Sequence, residues 1–135
     1  MMSTITPELY VTDLDASLAF YCTLLGFKVD YDRPEDRFAC IRIGSSTLML
    51  EEPIGRTWLA GPFEPPFGRG VNFQVMVRGI EVLFERCCAA GAPVFHNLET
   101  KDYRRRDGMV SQTQFVVQDP DGYLIRLAEE AQPVA

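Results

Sequence analysis

The chain has 135 residues, 47% of them apolar, and a formal net charge of −6. That length suits one compact domain or two fused half-domains with a shared core, and the apolar fraction excludes a disordered chain. The acidic balance argues against nucleic acid as a partner, because phosphate neutralisation needs a basic face; it favours a cationic ligand.

The opening Met1-Met2-Ser3-Thr4-Ile5-Thr6-Pro7 has neither the basic start nor the apolar core of a secretory leader. No apolar run approaches the ~20 residues that span a membrane, so no membrane partner is expected. Residues 5–11 read as a strand, and Pro7 within it marks an edge strand or one that leaves its own half. Thr12 or Asp13 caps a helix running to about Leu25, with Leu14, Leu18, Tyr21 and Leu25 on one stripe and Gly26 as its stop. Strands follow at 27–32, 37–43 and 46–52, the last two joined by a tight turn at Gly44-Ser45.

Residues 53–70 break the pattern, being rich in Pro and Gly and carrying Trp58, Phe63 and Phe67. Two roles are open for these rings: a satellite core under the loop, or contact with a ligand. A strand at 71–77, a helix at about 79–90 and a strand near 93–96 come next. The stretch Asn97 to Asp107 reads as polar loop, and its run Arg104-Arg105-Arg106 as a solvated one. Strands at 110–118 and 123–128 flank Asp119-Pro120-Asp121-Gly122, a sequence suited to a type I turn.

The order of elements repeats. LYVTDLDASLAFYCTLLGFKV and VMVRGIEVLFERCCAAGAPV both run from strand through a polar break into a helix that stops at Gly26 or Gly91. Val11 matches Val77, and Leu14 matches Ile80. Each half alone leaves an apolar sheet face uncovered, so the halves are expected to pack as one domain over 1–135: module one at about 4–52, a linking loop at 53–70, module two at about 71–130. A small molecule is expected between them.

Chemistry-bearing groups are sparse. Cys22, Cys40, Cys87 and Cys88 form no CxxC pair and read as small buried hydrophobes of a reduced, cytoplasmic protein. His96 is the single histidine and reads as structural or surface-exposed. Glu51-Glu52 and Glu129-Glu130 are neighbours in strands, so each pair points to opposite faces and cannot act as one acid–base dyad. No nucleophile elbow or Gly-rich phosphate loop is present.

With VTDLDASLAFYCTLLGF, TLMLEE and the closing FVVQDPDGYLIRLAEE, the chain resembles the vicinal oxygen chelate superfamily of glyoxalase I, extradiol dioxygenases, fosfomycin-resistance enzymes and bleomycin resistance proteins. The opening TPELYVTDLDASLAFY is most similar to the bleomycin-resistance branch. The resemblance implies an α+β fold of two βαβββ modules forming a curved mixed sheet around a cavity. It implies metal-ligand positions at Thr6, Glu51, Asn72 and Arg126. Only Glu51 among these is a strong ligand, and Arg has no lone pair to offer. We therefore expect no metal, no cofactor and no catalytic residue.

The function implied is a binding protein that sequesters an antibiotic-like natural product, possible ligands including a bleomycin-type glycopeptide. The alternative is a metal-dependent lyase, isomerase or dioxygenase with displaced ligands drawn from His96, Glu51 and Glu8. The resemblance implies a homodimer, with exchange of the first strand between subunits as an option, and a cavity faced by Met49, Glu51, Leu124 and Arg126. The expected ligand-binding set is Phe38, Met49, Glu51, Trp58, Phe67, Asn72, Tyr103 and Arg126. Its rings would stack on flat groups of a cationic, partly aromatic ligand.

Overall fold

The computed structural model describes residues 4–131. The chain divides into two compact units, Met1–Pro65 and Pro66–Ala135, and the boundary falls inside the Pro-rich stretch expected to link the repeats. The fold is α+β, with a four-stranded mixed sheet in each unit.

In the first unit β1 (Glu8–Tyr10) leads to α1 (Leu14–Leu18), which continues as a π-helical turn over Ala19–Leu24. Then come β2 (Lys28–Arg33), a 3-10 turn at Pro34–Asp36, β3 (Phe38–Ile43) and β4 (Ser46–Glu51). The strand order is β1-β4-β3-β2, with β1 parallel to β4 and the other pairs antiparallel. Pro7 sits just ahead of the β1 edge strand, where its missing N–H costs no ladder bond. The second unit repeats the plan: β5 (Asn72–Met76), α2 (Ile80–Ala89), β6 (Val94–Arg105), β7 (Gly108–Gln118) and β8 (Leu124–Glu130), in the order β5-β8-β7-β6 with β5 parallel to β8.

The helix of the first unit departs from the expected regular α-helix. Leu25 N–H bonds the carbonyl of Phe20, five residues back. The extra residue in this wide turn lets two adjacent rings, Phe20 and Tyr21, both turn inward, where they meet edge to face at 5.0 Å. The buried stripe is therefore Leu14, Ser17, Phe20, Tyr21 and Leu25, and Leu18 is only half-buried. It covers the sheet face carrying Leu9, Val11, Ala39, Ile41, Leu48 and Leu50. In the second unit α2 lies on β6, β7 and β8, with Phe84 edge-on to Phe115 at 5.0 Å.

The polar stretch 97–107 is not a loop. Residues up to Arg105 extend β6, which pairs with β7 from Arg105–Gly108 back to Val94–Val117. β6 is an edge strand whose residues are all exposed or half-exposed, so it needs no apolar alternation. Cross-strand hydroxyls bind it instead, Thr100 to Thr113 at 2.8 Å. The arginine run lies at the solvent-exposed tip of this hairpin. The cysteines also divide: Cys40 and Cys87 are buried, Cys22 is half-buried and Cys88 is exposed, so the expectation of four buried thiols holds for two.

A shared capping device shows how closely the units match. Val11 N–H bonds Glu51 O, and Val77 N–H bonds Ala128 O. One residue further on, Glu52 accepts the Leu14 N–H at 2.8 Å, and Glu129 accepts from Gly79 and Ile80 at 3.1 Å each. In both units a carboxylate at the end of the last strand thus satisfies orphan donors at the start of the helix. Glu52 is held further by Arg37, whose Nη2 lies 2.8 Å away. That guanidinium, with the Leu14 amide, holds the Glu52 carboxyl below its ordinary range. A group with a depressed folded pKa adds stability above its unfolded pKa and loses it as pH falls through the folded one. Glu52→Ala should accordingly cost about 1–2 kcal/mol at neutral pH. Urea unfolding should show the deficit shrinking in acid; a deficit unchanged at low pH would refute the carboxylate's role.

Candidate functional site

Strand alternation gives each sheet a second face, away from its helix. In the first unit the register aligns Glu8, Met49, Cys40 and Tyr31 in one row, and Tyr10, Glu51, Phe38 and Arg33 in the next. Thr6 and Thr47 meet through their hydroxyls at 3.5 Å. A shallow pocket of about 120 Å³ opens here, lined by Thr6, Asp30, Tyr31, Cys40, Arg42, Thr47 and Met49.

Two carboxyls stand side by side on this face. Burial first, and then the charge and hydrogen bond of Glu8, push the Glu51 carboxyl above its ordinary pKa, while Arg33 pulls it down. The Arg33 guanidinium lies over the Phe38 ring at 3.9 Å, and Tyr31 tilts against that ring at 5.8 Å. Phe38 itself is 1% exposed, so it supports the face from beneath, whereas Tyr31 is 45% exposed. Along the rim, the Trp58 amide donates to Tyr10 Oη at 2.8 Å. Arg56 covers one face of the indole at 4.1 Å, and the side chain is 71% exposed.

The corresponding face of the second unit is a polar network. Gln112 Nε2 donates to Gln74 Oε1 at 3.3 Å and to Gln114 Oε1 at 2.9 Å. Gln114 Nε2 donates to Glu99 Oε1 at 3.0 Å and to Tyr103 Oη at 2.7 Å. Gln112 and Gln114 are both buried. Arg105 pairs with Glu130. These groups surround a pocket of about 210 Å³ lined by Gln74, Tyr103, Arg105, Val110, Gln112 and Arg126. Asn72 is exposed at the start of β5.

The model of the Glyoxalase/Bleomycin resistance protein/Dioxygenase superfamily matches residues 4–127. The chain belongs to this superfamily. Bleomycin resistance proteins of Geobacillus stearothermophilus and Staphylococcus aureus are each 28% identical to it, over 92% of this chain and 94% of theirs. Among solved structures, TioX from Micromonospora sp. ML1 shares the fold at a TM-score of 0.74 and 23% identity, over 96% of this chain and 99% of that one. Lactoylglutathione lyase from Agrobacterium tumefaciens shares it at 0.61 and 22% identity, over 94% and 93%.

Within the superfamily the internal register decides which residues occupy equivalent positions. Gln74 lies beside Arg126 as Glu8 lies beside Met49, and Met76 lies beside Ala128 as Tyr10 lies beside Glu51. Arg126 therefore corresponds to Met49, and Glu51 to Ala128. The sequence expectation that Glu51 and Arg126 are equivalent is two residues out of register. The corrected set is Thr6, Met49, Asn72 and Arg126, which offers a hydroxyl, a thioether, a carboxamide and a guanidinium. That chemistry does not fit a divalent metal, which takes several imidazole, thiolate or carboxylate ligands. Among the described residues no three His, Cys, Asp or Glu side chains gather as a metal cluster. His96 lies in β6 with Nδ1 2.8 Å from Asn97 O and Nε2 3.6 Å from Glu99, each within hydrogen-bond or ion-pair reach on its own strand.

Of the expected ligand-binding residues, Met49 and Glu51 share one face of the first unit, and Asn72, Tyr103 and Arg126 share one of the second. Phe67 is 8% exposed and packs on Tyr123 at 6.0 Å inside the second unit, so it belongs to the satellite core. Trp58 does not. Glu8, Tyr31, Gln74, Gln112 and Gln114 complete the two faces and were not singled out as ligand-binding from sequence. The Glu8–Met49 and Gln74–Arg126 strand registers are the signal that groups them.

No helix among the described residues is long and apolar enough to cross a membrane.

Proposed function

We propose that the protein captures an extended, cationic, partly aromatic natural product of the antibiotic type, and does so without chemistry. The observation that carries this reading is the Glu8–Glu51 carboxyl pair on the open face of the first unit. The partly desolvated Glu51 carboxyl and the exposed Glu8 carboxyl beside it repel one another, and a bound guanidinium, amine or imidazolium relieves that repulsion. The accessible rings of Tyr31 and Trp58 flank the pair's sheet and offer stacking surfaces. The net charge of −6 draws cations toward it. Relatives named bleomycin resistance protein over nearly the whole chain support the same class of ligand. Capture confers resistance or self-protection by lowering the free ligand concentration.

Bleomycin is the first probe. At 100 times its dissociation constant it should add about 2.7 kcal/mol to stability in a thermal-shift assay. Absence of any shift, alongside a shift with divalent metals, would overturn the reading. Trp58→Ala should weaken binding about tenfold or more, or about 1.4 kcal/mol, with an unchanged melting profile in the free protein. Titration by calorimetry checks it, and unaltered affinity would remove the indole from the site.

The capturing species in this reading is a homodimer in the cytoplasm, with the short first strand exchangeable between copies. Light scattering at micromolar concentration tests the dimer, and a monomer there would count against it.

A further inference from the structure

Arg126 holds the one buried side-chain nitrogen among the described residues that finds no acceptor: its Nε. An orphaned buried guanidinium N–H is costly unless a neighbouring group fills the vacancy in its bonding. The surrounding groups do not. Both amide hydrogens of Gln112 go to Gln74 and Gln114, and both of Gln114 go to Glu99 and Tyr103. The nearby carboxylates are committed, Glu130 to Arg105 and Glu99 to Gln114. Tyr103 Oη accepts a hydrogen bond from Gln114, which leaves its own O–H to donate. The pocket of about 210 Å³ bounded by these residues thus carries the Arg126 charge and the Tyr103 hydroxyl as its remaining donor.

We infer that this pocket is a carboxylate subsite, in which Arg126 supplies the cation and an N–H donor and Tyr103 supplies a hydroxyl donor. Planar guanidinium matches planar carboxylate in charge and geometry. The inference rests on the capture reading only in taking the carboxylate to be part of the captured molecule, which then carries both a cationic and an anionic end.

Acetate is the probe, because it has neither a cation nor a ring. The Nε–Hε resonance of Arg126, assigned by its loss in Arg126→Lys, should move saturably as acetate replaces chloride at constant ionic strength. Arg126→Gln should lower acetate affinity tenfold or more, followed on neighbouring backbone amides. Tyr103→Phe should lower it severalfold while keeping the Arg126 resonance in place. Acetamide should produce little shift. A flat titration, an identical response to chloride, or equal binding of acetamide would each overturn the assignment. The wild-type titration stands even if a variant fails to fold. Bleomycin that fails to bind leaves the acetate result intact, and a flat acetate titration leaves bleomycin capture intact, so the two readings fail separately.

Discussion

Replacing Glu8 and Glu51 together by glutamine should lower affinity for the glycopeptide probe about 100-fold, roughly 2.7 kcal/mol, and should make the free protein more stable at neutral pH. Both effects come from one cause. Removing a desolvated charge partner at a binding face typically costs about 2–5 kcal/mol of binding. In the free protein the same pair is a liability, because burial and the neighbouring Glu8 charge raise the Glu51 pKa. A carboxyl with a raised folded pKa contributes stability that is present below its unfolded pKa and is lost as pH rises through the folded one. The amide variant has no such loss. Its melting temperature should exceed that of the native chain at pH 7 and converge with it in acid. Calorimetric titration and melts at the two pH values check both halves. Retained affinity would show that the cation is bound elsewhere, and a destabilised variant at pH 7 would show that the pair is held by an uncounted cation.

Gly122→Ala should destabilise the second unit by about 2–4 kcal/mol, through left-handed backbone strain of about 1–2 kcal/mol plus overpacking. Gly122 closes the Asp119–Gly122 turn, donating its N–H to Asp119 O at 3.0 Å. Its φ is +97°, and an added Cβ would lie 2.7 Å from Pro66 Cβ and 3.0 Å from Pro66 Cα. The second contact is backbone, which cannot rotate away. Gly26, at a φ of +92° with nothing within 4 Å, is the control. Its alanine variant should lose only the strain, about 1–2 kcal/mol. Urea unfolding of both variants separates strain from collision. Equal losses would mean that Pro66 moves aside.

The fold was legible in the sequence where local chemistry repeats. Val11 with Val77, Leu14 with Ile80, and the glycines that end both helices announced two copies of one unit, and the backbone bonds of Val11 and Val77 bear this out. The Asp-Pro-Asp-Gly turn was readable because its hydrogen bonds are local. What escaped depends on partners distant in sequence. Asp13 was readable as a local cap of the first helix, since its side chain accepts from Asp15 and Ala16 N–H, but Glu52 and Glu129 reach helix starts that lie far upstream, so their part in capping leaves no local motif. Strand β6 lacks apolar alternation because an edge beside one partner needs none. The π-helical turn adds one residue without a sequence mark of its own. At the site, alternation correctly put Met49 with Glu51 and Leu124 with Arg126. The equivalence of positions across the two copies needed the strand register, which moves Arg126 opposite Met49 in the comparison. Gln74, Gln112 and Gln114 look like ordinary surface residues in a linear reading, and only their cross-strand bonds make them one network.

The pairing of first strand with last also sets a timetable for synthesis. On the ribosome Leu9 has no ladder partner until Leu50 has emerged, and Phe73 none until Ile125. The hairpins β2–β3–β4 and β6–β7–β8 join segments adjacent in the chain and close first, since short loops cost less entropy to form. Each unit therefore passes through a stage in which its meander is made and its leading strand is still a loose apolar segment. Translation that stalls before residue 51 or residue 124 leaves that segment open to any sheet edge within reach, including the edge of a neighbouring nascent copy.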